Sequence, residues 1–211
     1  MPVTVNMTLA VKRLIRDAAA KLPELAHIRA TRILVVAGEA RRASRATIRP
    51  AHYKETRRRA SGAGQRKPLI QVRGRKILYV ITLRPLWFLS STPEERIGTV
   101  FHELYHVSTR FDGTLHRARR HSQISRATYN RRVRALRERY LARADEELLA
   151  PFAHVGTVRA RMWLERPGGS YREGEYQGRR VYTERQLFLG LMPMRAVGAR
   201  PRRRRAEQPA K

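Results

Sequence analysis

His102, Glu103 and His106 fall in the run His-Glu-Leu-Tyr-His, and these three side chains can act together only if the run is helical. Four residues of α-helix advance about 400° and roughly 6 Å, so both imidazoles leave one face and can grip one metal ion. Glu103 lies about 100° around from His102, within reach of a water at such a metal without being a ligand itself. The flanking residues favour the helix. Thr92-Pro93-Glu94-Glu95 is a capping box with proline at the first helical position, which satisfies orphan amides and presets φ. Ile97, Val100, Phe101, Leu104 and Val107 recur at helical spacing as a stripe for burial, and Gly98, one turn before His102, leaves the histidine face uncrowded. Two structural histidines on an amphipathic helix are the plain alternative. The cap, the stripe and the intervening glutamate weigh toward a metal, and Zn2+ suits neutral nitrogen donors beside a base.

The 211 residues suit one domain with a sizeable core. The chain has no cysteine, which excludes disulfides, a thiolate zinc ribbon and thiol catalysis and leaves His, Asp and Glu as the ligand pool. No segment reads as a signal peptide or a membrane span, so a cytoplasmic place is expected. Charge is the second strong signal, with 46 Lys+Arg against 17 Asp+Glu and a net +29. Arginine outnumbers lysine 40 to 6, a bias that GC-rich coding can produce. Coding does not explain the shortage of acids, so an anionic partner is expected, with nucleic acid ahead of membrane.

Along the chain, residues 8–28 read as an amphipathic helix with Leu9, Val11, Leu14, Ile15, Ala18 and Leu22 on its apolar side. Residues 31–37 form a buried strand, and 41–67 a strand fragment plus an exposed basic loop. Residues 69–72 and 76–83 bracket Arg73-Gly74-Arg75 as a β-hairpin. Residues 125–143 form a second helix with Tyr129, Val133, Leu136 and Tyr140 on one face and arginines on the others. Residues 158–165 should be a strand, turned at Pro167-Gly168-Gly169-Ser170 and returned at 180–182 as a C-terminal β-hairpin. Thr183-Glu184-Arg185-Gln186 can cap a last short helix before Gly190. Residues 1–195 are expected to be a single domain, and 196–211, with Arg202, Arg203, Arg204 and Arg205, a disordered Arg-rich tail able to touch nucleic acid. The fold class is therefore α+β: a small antiparallel or mixed sheet packed on the His-Glu-x-x-His helix and a second amphipathic helix. Helix, strands and then a metal-binding helix is the order of a minimal zincin-like domain. In such a domain the strand before the helix is expected to form the cleft edge, where an extended peptide can add.

A catalytic zinc takes three protein ligands and keeps one open position. Asp112 lies six residues after His106, an offset used by third ligands, but the glycine that permits that bend would fall at Thr109. Asp112 ahead of Gly113 is equally a turn residue. His116 and His121 can each return to the metal from the loop before the second helix, while His27, His52, His154 and Asp145, Glu146 and Glu147 are weaker choices.

HELYHVSTRFDGTL, followed by a basic loop and ATYNRRVRALRERYL, resembles the small zincin-like metallopeptidases of phages, archaea and bacteria. The likeness is strongest over residues 70–145. It implies metal ligation by His102 and His106, catalysis by Glu103, and a later ligand histidine that His121 matches best and His116 second. It also implies a host-cytoplasm location if the chain is phage-encoded.

Three functions follow as expectations. The first is a zinc metallopeptidase, with a protein or peptide substrate, acting on nucleic-acid-associated proteins through non-specific nucleic-acid contacts and without a membrane partner. The second is a zinc-dependent (ribo)nuclease with Asp112 as third ligand. The third is a nucleic-acid-binding protein with a structural zinc. A glutamate between the histidines favours the first. Glu103 would take a proton from water, and Tyr105, Tyr129 or a loop arginine could steady the oxyanion.

Overall fold

The structure is a computed structural model that describes residues 4–38, 44–51, 65–66, 68–88, 91–167, 171–172 and 181–194. The expected tail, with Arg202 to Arg205, and His52 lie outside the described residues.

Helix α1 (Met7–Lys21) starts where the Asn6 side chain accepts from the Leu9 amide at 3.0 Å. Its buried face is Met7, Ala10, Val11, Leu14, Ile15 and Ala18. It stops seven residues, about two turns, before the expected end at residue 28. Leu22 precedes Pro23 and is held extended (φ −117°, ψ 117°), as the ring of a following proline requires, and a single 3-10 turn then spans Pro23–Leu25. Leu9, expected on the apolar side, is 47% exposed.

Five strands make the main sheet, in the order β10-β7-β1-β6-β2. Strand β1 (Ile33–Ala37) is buried along its whole length, as a strand covered on both faces must be. It runs parallel to β6 (Tyr79–Leu83) on one side and β7 (Gly156–Trp163) on the other. Strand β2 (Ala46–Pro50) lies antiparallel to β6 at one edge, and β10 (Leu187–Met194) lies antiparallel to β7 at the other. Ile33, Val35, Ala37, Tyr79, Ile81 and Leu83 point into the helix-covered core, while Leu34, Val36 and Val80 pack in a second cluster with Ile70, Ile77 and Tyr182.

The expected hairpin exists but is shorter. Strands β4 (Leu69–Val72) and β5 (Arg75–Lys76) pair across Arg73 and Gly74, both at positive φ (51° and 69°), the geometry of a tight two-residue hairpin turn. The chain leaves the hairpin after Lys76, and β6 joins the main sheet instead, where alternate residues Tyr79, Ile81 and Leu83 bury fully. The strand before the His-Glu-x-x-His helix is therefore interior, and the edge on that side is β2. The return along β7 also differs from expectation. Val181–Tyr182 (β9) pairs parallel with β4, and it is β10 that lies along β7. The Thr183 capping box forms, yet it starts only one 3-10 turn, Glu184–Gln186, and Gly190 lies within β10. The short strands β3 (Gln65–Arg66) and β8 (Tyr171–Arg172) pair with each other.

Helix α2 (Pro85–Phe88) is one turn, followed by α3 (Pro93–Tyr105). Thr92 Oγ1 accepts from the Glu95 amide at 3.2 Å, and Glu95 Oε2 accepts from the Thr92 amide at 3.0 Å. All five residues of its predicted stripe are buried. Helix α4 (Arg126–Leu141), capped by Ser125, buries Tyr129, Val133, Leu136 and Tyr140 against α3 and the core. Helix α5 (Glu146–Ala153) has no counterpart in the sequence reading. It is tied to α3 by Arg96, which is fully buried and donates from Nη1 to the carbonyls of Phe152 and His154. Among the described residues no helix is long and apolar enough to cross a membrane.

Candidate metal centre

The core side of α3 is set by its apolar stripe, which leaves His102 and His106 half-buried on the flank facing α4. What happens next is a matter of loop folding. Helix α3 ends at Tyr105, Val107 forms an antiparallel bridge with Leu115, and the His116 amide donates to the His106 carbonyl at 2.8 Å. Phe111 and Gly113 take positive φ (48° and 82°) to make the reversal. Tyr79 of β6 locks it: its hydroxyl donates to the Thr114 carbonyl at 2.8 Å and accepts from the Gly113 amide at 3.0 Å. A 3-10 turn at Arg117–Arg119 then carries the chain over the end of α3, and His121 arrives beside the helical pair.

One ligand-capable nitrogen from each of His102, His106 and His121 lies within 4.8 Å of the others. Their ring centroids stand 4.8 to 5.2 Å apart. The Tyr129 ring forms the floor, 4.7 to 4.9 Å from all three imidazoles. His106 Nδ1 is 3.0 Å from the Arg119 carbonyl, a contact that places the proton on Nδ1 and leaves the Nε2 lone pair for a metal. Arg119 also donates to the Tyr105 carbonyl at 3.3 Å and lays its guanidinium 4.2 Å from the Tyr105 ring centre, clamping the loop to α3. Burial, with the neighbouring His106, His121 and Arg126 adding to it, lowers the His102 imidazole to about 4. Burial and then His121 lower His106 to about 4 as well. Both rings are therefore neutral at pH 7, the form that binds metal.

Glu103 is 6% exposed, and burial pushes its carboxyl up to about 7 against the opposing hydrogen bond from the Ile48 backbone of β2. A carboxyl poised there can exchange a proton near neutral pH. It shares a cleft of about 960 Å³ with His102 and His121, walled by α3, α4 and residues 44–46.

The other sequence candidates sit elsewhere. Asp112 Oδ1 accepts from the Thr114 amide at 3.1 Å and from its hydroxyl at 2.6 Å, so its carboxylate closes the turn and is not in the histidine group. Asp112, the third ligand of the nuclease expectation, thus stands apart from the three histidines. The helix ends before the six-residue offset is reached, and the reversal carries Asp112 away. His116 donates its backbone to His106 but its side chain is outside the group as well. His27 lines a separate cavity of about 430 Å³ with Arg29, Arg32 and Arg110. Asp145 pairs with Lys21 at 3.1 Å. Tyr129 is fully buried and donates its hydroxyl proton to the His102 carbonyl at 2.8 Å. Sequence reasoning missed Tyr79 and Arg119. Tyr79 carries only a strand-core signal, and Arg119 is one arginine in a run of them.

Three histidines around one point, with a buried carboxylate next to the first, are the makings of a metal-dependent hydrolytic centre. The chain belongs to the family described as "Putative phage metallopeptidase", whose model matches residues 6–136. That span runs from the start of α1 to Leu136 of α4 and includes the whole histidine group. No curated protein and no solved structure matches the chain. Family and site together point to a metal-dependent peptidase.

Proposed function

We propose that this chain is a zinc-dependent peptidase with a minimal zincin-like arrangement, and that His102, His106 and His121 hold the metal. The carrying observation is the convergence of three imidazoles beside a buried carboxylate. An all-imidazole set without thiolates suits zinc, and three protein ligands are the number that leaves a catalytic position open. When bound, zinc supplies Lewis acidity toward a carbonyl and acidifies water. Glu103 is the residue we assign to proton transfer. Held by the Ile48 amide in an apolar wall, it accepts a proton from the attacking water and returns it to the leaving amine. Strand β2 ends the sheet on the cleft side, and an extended peptide can add along that edge with main-chain hydrogen bonds. Arg126 and Asn130 of α4 line the cleft and are donors available to a developing oxyanion.

The net charge of +29 supports a second element of the reading. A surface so rich in arginine would concentrate the enzyme on nucleic acid, so its substrates would be proteins associated with nucleic acid, in the cytoplasm of the cell or host.

Glu103→Gln tests the mechanism. The variant should bind one zinc per chain with affinity close to that of the wild type and lose about 10²- to 10⁴-fold in peptide turnover. Turnover at the wild-type rate with metal bound would remove Glu103 from the chemistry.

A further inference from the structure

The cleft continues past the histidines along the groove between α3 and α4. Its far wall is built of Arg134 and Arg137, with Arg126 near the histidines and Arg45 opposite, next to Ser44 and Ala46. Arg137 lies directly over Gly98: a Cβ there would stand 3.4 Å from its Nη1 and 3.5 Å from its Cδ. The glycine one turn before His102 thus seats an arginine against α3 within the cleft.

The acids in this space do not balance the arginines. Glu95 pairs with Arg45 at 2.6 Å and also caps α3, and Glu103 is buried beside Ile48. Glu138 approaches Arg137 only to 3.9 Å. Among the described residues neither Arg126 nor Arg134 has a carboxylate within 4 Å. Two buried polar atoms on the same cleft, Arg137 Nε and Ser44 Oγ, have no hydrogen-bond partner among the described residues. The groove therefore presents more donors and positive charge than its two glutamates, both already engaged, can offset.

We propose that Arg134 and Arg137, with Ser44 across from them, form a carboxylate subsite, so that the peptide taken into the cleft carries an acidic group near the bond that is cut. This rests on the peptidase reading and adds the substrate class to it. Guanidinium forks match a carboxylate with paired hydrogen bonds, a geometry an ammonium does not offer. Gly98 and His102 are one helical turn, roughly 6 Å, apart. An extended peptide advances about 3.3 Å per residue, which places the acid about two residues from the scissile bond. A single carboxylate suits the cleft better than a polyphosphate strand, because Glu95 and Glu103 would repel successive phosphates along it.

The test uses the full-length Glu103→Gln chain, with zinc and again in chelator. Fluorescein-labelled nonapeptides, capped at both ends, carry one Glu at each position in turn and are compared by anisotropy with their Gln twins at fixed salt. An uncapped neutral peptide separates a terminal carboxylate from a side-chain one. In at least one register the acidic probe should bind about tenfold tighter than its twin. That preference should collapse when Arg134→Gln and Arg137→Gln are added and persist with Arg132→Gln, a matched charge loss on the opposite, exposed face of α4. Arg134 is exposed, so Arg134→Gln alone keeps the test alive if the double change impairs folding, and it should already reduce the preference. Equal binding of Glu and Gln peptides, or a preference that survives both changes, overturns the subsite. So does a single-stranded oligonucleotide that outcompetes every peptide and is the only probe weakened by the changes. If the acidic preference holds while the wild-type zinc-loaded chain cleaves no probe, the subsite stands and the peptidase reading falls.

Discussion

Helix α3 and the loop that follows it contribute to the same centre by opposite means. In α3 two of the proposed ligands and the carboxylate fall within five consecutive residues, and their mutual placement follows from the helical repeat alone. In the loop, His121 stands fifteen residues beyond His106 and owes its place to contacts made with other parts of the molecule. These are the Tyr79 hydroxyl from β6, the Arg119 clamp on α3, and the Val107–Leu115 bridge. Local order and tertiary order thus meet within one candidate metal site, and damage to each should read out differently.

The sharpest way to break this contrast is to cut the loop clamp. Arg119→Ala keeps every ligand and should weaken zinc binding about 10- to 100-fold, as loss of groups that orient metal ligands does. A competition titration against a chromogenic chelator measures it, and unchanged affinity would mean that the loop holds His121 without Arg119. Tyr79→Phe attacks the loop from the sheet side. It strands the Gly113 amide and the Thr114 carbonyl, and should cost about 1–3 kcal/mol in a urea melt and weaken zinc binding in parallel.

Lys12 extends the comparison to charge. On α1 its surroundings are set mostly from outside the helix: burial comes first, then Arg161 of β7, Arg16 one turn on in α1, and Arg73 and Arg75 of the hairpin, together lowering its ammonium to about 8 from 10.5. Between those values the unfolded chain holds the proton more tightly than the folded one, so stability rises with pH from about 8 to 10.5 and the penalty is fully present below 8. Lys12→Met should raise the melting temperature more at pH 7 than at pH 10.5. A gain that is the same at both pH values would show that the charge is not the cause.

The smallest effect belongs to the local element. Thr92→Ala removes one half of the capping box and should cost about 1 kcal/mol, with zinc affinity nearly unchanged because both helical histidines keep their spacing. If Thr92→Ala and Arg119→Ala reduce zinc affinity equally, the division between local and tertiary control is wrong.

The same division explains what could be read in advance. The α3 and α4 stripes, the capping boxes at Thr92 and Thr183, and the hairpin turn at Arg73-Gly74 each depend on residues close in sequence. Pairing was harder. Nothing local says that residues after Lys76 leave the hairpin for a parallel partner, or that β10 rather than β9 lies along β7. Helix α5 was missed because it is short and holds Pro151, and its tie to α3 is a buried arginine that composition reads as solvent-exposed.

By itself the sequence determined a capped helix with two histidines and a glutamate on adjoining faces, a net charge of +29, and no thiol ligands. These are properties of spacing and composition, and they hold in any fold that keeps the helix. Only the tertiary structure brought His121, rather than Asp112 or His116, beside the helical histidines, turned the Tyr129 hydroxyl inward, made β2 the cleft edge and laid Arg137 across Gly98. Each of those depends on where the chain returns in space, which is decided by burial and hydrogen bonding between residues far apart along it.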